Sequence, residues 1–126
     1  MAVVLLDTDV VIDHLRLKDN VGEWLGEGIE KGDSFCVTPV TWAEIYAGVR
    51  KGEEKRMLKF FHGIPTVLLT QEIGRKAGDY LRVYSKSHGV KMADALIAAT
   101  AYVEHLPLFT LNKKHYPMEN IEFYDE

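Results

Sequence analysis

The stretch VVLLDTDVVID, from Val3 to Asp13, constrains this chain more than any other. Val3 to Leu6 is an apolar run too short for a helix core and rich in β-branched side chains, which predicts a buried strand. It ends on Asp7, Thr8 and Asp9, so a central strand delivers carboxylates to its own C-terminal end. In open parallel sheets that edge is where ligands and chemistry collect.

The remaining pattern alternates helices with short strands. Apolar residues between Val10 and Leu17 predict a short helix capped by Asp9, and Val21, Trp24, Leu25 and Ile29 predict a second over Asn20 to Lys31, with Asn20 as cap and Gly32 as stop. Ser34 to Thr38 reads as a strand, and Thr38-Pro39 as a helix start, a hydroxyl cap followed by proline at the first helical position. Glu53 to Phe61 reads as a charged helix burying Met57, Leu58, Phe60 and Phe61. Thr66 to Leu69 follows as a third strand. Gln71 to Ser87 is amphipathic, with Ile73, Ala77, Tyr80, Leu81 and Tyr84 on one stripe, and His88-Gly89 closes it. Met92 to Glu104 is apolar nearly all round and predicts a buried helix. Pro107 to Thr110 and Ile121 to Tyr124 complete a set of four to five short strands. The expectation is an α/β fold, residues 1–126 forming one domain around a mainly parallel sheet flanked by helices.

Composition narrows the function classes. At 126 residues, 47% hydrophobic and 27% charged, the chain has an ordinary globular make-up. No apolar run reaches the length of a membrane span, and Met1 to Leu6 lacks the basic region of a signal peptide, so a cytoplasmic location is expected. Cys36 is the single cysteine, which rules out an intrachain disulfide or a thiolate metal cluster. The formal charge of −4 argues against a surface coated for nucleic acid, although a local basic patch beside an acidic pocket is compatible with it.

Three acids sit where a charge is awkward: Asp7 after a buried strand, Glu44 within an apolar helix, and Asp94 opening a buried one. Each has an ordinary reading. Asp7 fits a turn, Asp94 fits a first-turn acid favoured by the helix dipole, and Thr41-Trp42-Ala43-Glu44 fits a capping box if that helix starts at Thr41. Pro39 instead favours the earlier start, which puts Glu44 in the second turn with no backbone N–H to satisfy. Together the three acids suit a hard cation, since carboxylates on separate elements match Mg²⁺ or Mn²⁺. His14, His62, His88, His105 and His115 show no zinc-ligand spacing.

In order and spacing, LLDTDVVID, TPVTWAEIYAGVR, KMADALIAATA and LFTLNKKHY resemble the PIN-domain ribonucleases, specifically VapC-like toxins of prokaryotic toxin–antitoxin pairs. The resemblance spans essentially the whole chain. It implies a compact α/β fold and an acidic pocket holding one or two Mg²⁺ or Mn²⁺ ions for phosphodiester hydrolysis by an activated water. Asp7, Glu44 and Asp94 match the three core acids, and Thr8 and Asp9 the polar pair after the first. In the last motif the fullest family pattern carries a fourth carboxylate, whereas this chain offers Thr110, Asn112 and His115, which leaves a second metal site open. The resemblance further implies an RNA substrate, a VapB-like antitoxin that blocks the pocket, and a homodimer.

Lys113, Lys114 and Lys91 lie in motifs next to the expected pocket and are the foremost candidates for RNA contact. Lys51, Lys55, Arg56, Lys59, Arg75, Arg82 and Lys86 also fit solvated helix faces. Trp24, Trp42, Phe60 and Phe61 suit either an interaction surface or the core. Other classes compete: a PIN-like binding module that no longer turns over, a haloacid-dehalogenase-like phosphatase suggested by DTDVV and testable by trapping a phosphoaspartate, and a receiver-like signalling domain.

Overall fold

A computed structural model of the chain describes residues 1–18 and 20–124. In chain order it contains β1 (Val3–Leu6), α1 (Thr8–Leu15), α2 (Val21–Glu30), β2 (Ser34–Cys36), α3 (Pro39–Gly48), α4 (Glu54–His62), α5 (Gln71–His88), α6 (Met92–Val103), β3 (Leu108–Phe109) and a 3₁₀ turn at Lys113–His115. The strands are parallel and ordered β2-β1-β3, so β1 is central.

Strand alternation sorts the core into two halves. Leu5 is in register with Cys36 on one side and Leu108 on the other, and all three face α5 and α6 through Ile73, Ala77, Tyr80, Ala95 and Ile97. Val4, Leu6, Val37 and Phe109 face the opposite layer, Val10, Val11, Val21, Leu25, Met57 and Phe61. A one-residue slip would exchange the two faces of β1 and bring the wrong side chains to each layer, so packing fixes the register. The end of β1 is thereby fixed too, and with it the position of Asp7. Burial pushes the Cys36 thiol up to about 11, which makes it an inert core residue.

Several expectations need correction. The sheet has three strands among the described residues, not four to five. Thr66 and Phe123 each form a single parallel bridge, to Val37 and Leu108. Their partners are too short to offer more: Thr38-Pro39 turns the chain into α3 directly after Val37, and β3 is two residues long. Leu68 is accordingly left exposed. Helix α1 starts at Thr8, and its cap is Asp7, whose extended backbone lets its carboxylate accept the Thr8 N–H at 2.7 Å. Asp9 lies inside the first turn. Asn20 precedes α2 in the left-handed region, φ 58°, and its side chain caps nothing. On α4, Met57 and Phe61 are buried while Leu58 faces solvent.

The Thr38-Pro39 start is observed, with the Thr38 hydroxyl accepting from Val40 N–H at 3.1 Å. Gly89, at φ 67°, closes α5 through its N–H to Ser85. Trp42 stacks on Phe61 at 4.1 Å and Trp24 packs against Phe109, so both tryptophans contribute to the core. No helix among the described residues is long and apolar enough to cross a membrane.

Candidate active site

The C-terminal edge of the sheet gathers the acids. Asp7 directly follows β1, β2 leads within two residues into α3 and its Glu44, α6 begins two residues before Asp94, and Thr110 directly follows β3. Asp7 is buried, with one oxygen accepting from Thr8 N–H and the other from the Thr110 hydroxyl at 2.8 Å. Burial pushes its carboxyl above the ordinary range against hydrogen bonds from Thr110, Tyr116 and Thr8, and nearby Asp94 adds to the rise. A carboxylate has about four acceptor sites, so each oxygen retains capacity for a cation.

Glu44 is exposed in the second turn of α3, because that helix does start at Pro39. The capping-box reading of this carboxylate therefore falls. A hydroxyl pair fixes it instead. Thr8 Oγ1 donates to Glu44 Oε1 at 2.6 Å and lies 2.9 Å from Thr41 Oγ1. The Thr8 proton is committed to Glu44, so Thr41 is the donor to Thr8. Both threonines are buried, which aims one oxygen of Glu44 and leaves the other available.

Asp94 is the third residue of α6 and takes the Lys91 N–H back onto its carboxylate, so the first-turn reading holds. Burial raises its pKa, the neighbouring His115 and that N–H oppose the rise, and Glu44 reinforces it. One residue thus serves as helix cap and as a member of the acid group.

Asp9 joins this group more closely than its place inside the α1 turn suggests. One oxygen accepts from Leu111 N–H at 3.1 Å and lies 3.4 Å from the Thr110 hydroxyl; the other is buried without a partner. Burial, then the charge of Asp7, pushes it up to about 6. Thr110 is the hub of the last motif, accepting from Asn112 N–H at 3.1 Å while donating to Asp7. Asn112 Nδ2 lies 3.1 Å from His115 Nε2, so at the place of a fourth carboxylate the chain sets an amide–imidazole pair beside Asp94.

Lys91, Lys113 and Lys114 are all exposed, and the Lys113 ammonium sits 5.3 Å from the centre of the Phe123 ring. Two residues of the site escaped the sequence reading. Thr41 was legible only as a cap. Tyr116 closes the LFTLNKKHY motif without having been singled out, and it is buried, its hydroxyl without a partner at hydrogen-bond geometry but near enough to Asp7 to oppose the effect of burial there. Burial, then the Asp7 charge, holds this phenol far above its usual range, so it stays neutral.

Among the described residues no three acidic, histidine or cysteine side chains converge into a closed metal cage. Such a cage is not what Mg²⁺ needs: it keeps several waters and takes one or two direct carboxylates. The orphaned Asp9 oxygen and the mutually repelling Asp7, Asp9 and Asp94 are the features a hard cation would relieve, so the donor set fits one.

The chain is a parallel α/β fold with acids gathered at the carboxyl edge of its central strand. Residues 4–121 match the PIN domain model, and the chain belongs to the PIN-domain family. It is 37% identical over 115 residues to Ribonuclease VapC19 of Mycobacterium tuberculosis, covering 90% of this chain and 92% of that protein. It is also 37% identical over 116 residues to Ribonuclease VapC10 of the same organism, covering 91% and 86%. The fold matches the crystal structure of VapBC2 from Rickettsia felis bound to a DNA fragment from their promoter, with a TM-score of 0.79, 22% identity and 98% of each chain covered.

Proposed function

We propose that this chain is a Mg²⁺- or Mn²⁺-dependent endoribonuclease, one nuclease domain acting as the toxin of a VapBC-type pair, cytoplasmic and homodimeric, with a VapB-like antitoxin as partner. The observation that carries the reading is the convergence of Asp7, Glu44 and Asp94 on one sheet edge in a chain 37% identical to named VapC ribonucleases. Asp7, Asp94 and Glu44 are assigned to the metal, with Asp9 supplying its free oxygen to a ligated water. Thr8, Thr110, Asn112 and His115 hold or orient these groups, and Lys91, Lys113 and Lys114 serve RNA.

When bound, the cation supplies a strong nucleophile at neutral pH and offsets charge developing on the phosphate. The chain's own residues supply position. The Thr41–Thr8 pair sets Glu44, the Thr110 hydroxyl and Thr8 N–H set Asp7, and the buried Tyr116 stands beside Asp7. His115, 3.1 Å from the Asn112 amide nitrogen, stands beside Asp94.

The test is incubation of the purified chain with a mixed, structured RNA pool and a DNA pool of the same sequences. Internal cuts in RNA but not in DNA are expected; RNA left whole by folded protein free of antitoxin would favour the binding-module reading. Within this mechanism Thr8→Val removes the donor to Glu44 and strands the Thr41 hydroxyl. Cleavage is expected to fall roughly 10- to 100-fold, with about 1 kcal/mol lost in urea unfolding, and Thr8→Ser to restore most of the rate. Equal rates for the Val and Ser variants would remove Thr8 from the mechanism.

A further inference from the structure

A cavity of about 520 Å³ opens between α1, α3 and α4, with Glu44 on its wall. Glu44 also accepts the Thr8 hydroxyl, so one side chain belongs both to the cavity wall and to the acid group. Its floor is apolar, including the buried Ile45 and Met57. Arg16, Arg50 and Arg56 supply guanidinium groups around it. Glu53 braces this wall: it binds Arg16 Nε at 3.1 Å through one oxygen and accepts the Arg50 N–H at 2.7 Å through the other. Among the described residues Arg16 is the only one of the three arginines in an ion pair. Three arginines against Glu44 and Glu53 leave this wall with an excess of positive charge in a chain of net charge −4, the Arg50 charge also acting on Glu53.

We propose that this cavity is the subsite for the nucleotide flanking the scissile phosphate, with Arg50 and Arg56 on its phosphate and the apolar floor under its base. The inference rests on the ribonuclease reading and extends it to how the substrate is held. Guanidinium groups match phosphate oxygens through two parallel hydrogen bonds, and they also stack on bases. A volume within the range of small-ligand sites suits one nucleoside. The shared Glu44 favours the substrate of that site as occupant. The other large cavity, about 840 Å³ between α2 and α4, shares Arg56 and adds Lys59, but it holds none of the acids of the site and is lined mainly by apolar groups such as Leu25, Ile29 and Phe60. None of the lysines first picked out from the sequence, Lys91, Lys113 or Lys114, lines the arginine cavity.

The test measures binding apart from turnover. Fluorescence anisotropy of a labelled single-stranded RNA of mixed sequence is followed with the full chain in EDTA across a salt series. Arg50→Ala/Arg56→Ala is expected to bind roughly tenfold more weakly, with a log–log salt slope shallower by about 1.4 for two lost phosphate contacts on a single strand. Arg50→Lys/Arg56→Lys should keep the slope and lose affinity. Lys31→Ala, at the end of α2 where the chain returns to the opposite edge of the sheet, should match wild type. With metal restored, the alanine pair should raise KM and leave kcat within about twofold, as lost ground-state binding does. Wild-type cleavage together with unchanged RNA affinity and slope in the alanine pair would overturn the subsite and leave the ribonuclease reading standing. So would loss of antitoxin binding with RNA binding intact. A wild-type chain that neither binds nor cuts RNA would overturn both.

Discussion

Asp7→Asn is expected to lower RNA cleavage by on the order of a thousandfold, about 4 kcal/mol of transition-state stabilisation, while raising the melting temperature of the metal-free protein at pH 8. The two effects share one cause. Asp7 is buried with Asp94 and Asp9 close by, a charge arrangement that favours a bound cation and penalises the fold without it. Asparagine retains a carbonyl oxygen for the Thr8 N–H, so the α1 cap survives. Removing the charge should stabilise by about 1–2 kcal/mol, the usual gain when a functional site is relieved of strain, which is several degrees in a domain of this size. A variant that lost activity and also melted lower would mean that Asp7 holds the fold rather than the metal.

The second large effect is a reversal of pH dependence by metal. Asp9 is raised from its ordinary 3.8 to about 6, and Asp7 and Asp94 are raised too. A carboxyl whose pKa is higher folded than unfolded keeps its proton in the fold where the unfolded chain has lost it. Stability therefore falls as pH rises between about 4 and 6, and the deficit persists above that. For Asp9 alone this is on the order of 1–2 kcal/mol after allowing for its partial exposure. His14 acts oppositely. Burial, then the Arg56 charge, lowers its pKa, so it adds stability as pH rises toward its unfolded value. Asp33 and Glu53, held low by their hydrogen-bond partners, lose their contributions only at more acid pH.

Comparing melts with and without Mg²⁺ cancels these other groups. The cation should raise the melting temperature at pH 8 and raise it less at pH 5, where protons compete with it for carboxyls whose pKa values the fold raises. An equal rise at both pH values would place cation binding elsewhere.

The sequence revealed what is local. Thr38-Pro39 and Gly89 were readable because a cap and a left-handed stop depend on their own neighbours. The buried central strand was readable because the apolar run from Val3 to Leu6 is local. Edge pairing was not, since the length of each outer strand is set by its partner, and the early turn after Val37 and the two-residue β3 cut both short. The choice between Asp7 and Asp9 as cap was equally hidden, because both precede apolar helical spacing and only the end of strand pairing separates them. The order of the three acids was visible; what orients them was not. Thr8 meets Thr41 across 33 positions and Thr110 meets Asp7 across 103, separations at which single-chain spacing carries no signal. The arginine cavity was missed for the same reason, since Arg16, Arg50 and Arg56 come from three segments.

The most direct test of the central claim, that the acids at the end of β1 form a divalent-metal site for RNA hydrolysis, is cleavage of one RNA pool by chelator-stripped protein as Mn²⁺ is added back. The account predicts no cutting in EDTA, recovery as free Mn²⁺ rises, and a flat response from Asp7→Asn throughout. Cutting that persists in EDTA, or that is equal in wild type and Asp7→Asn, would contradict it.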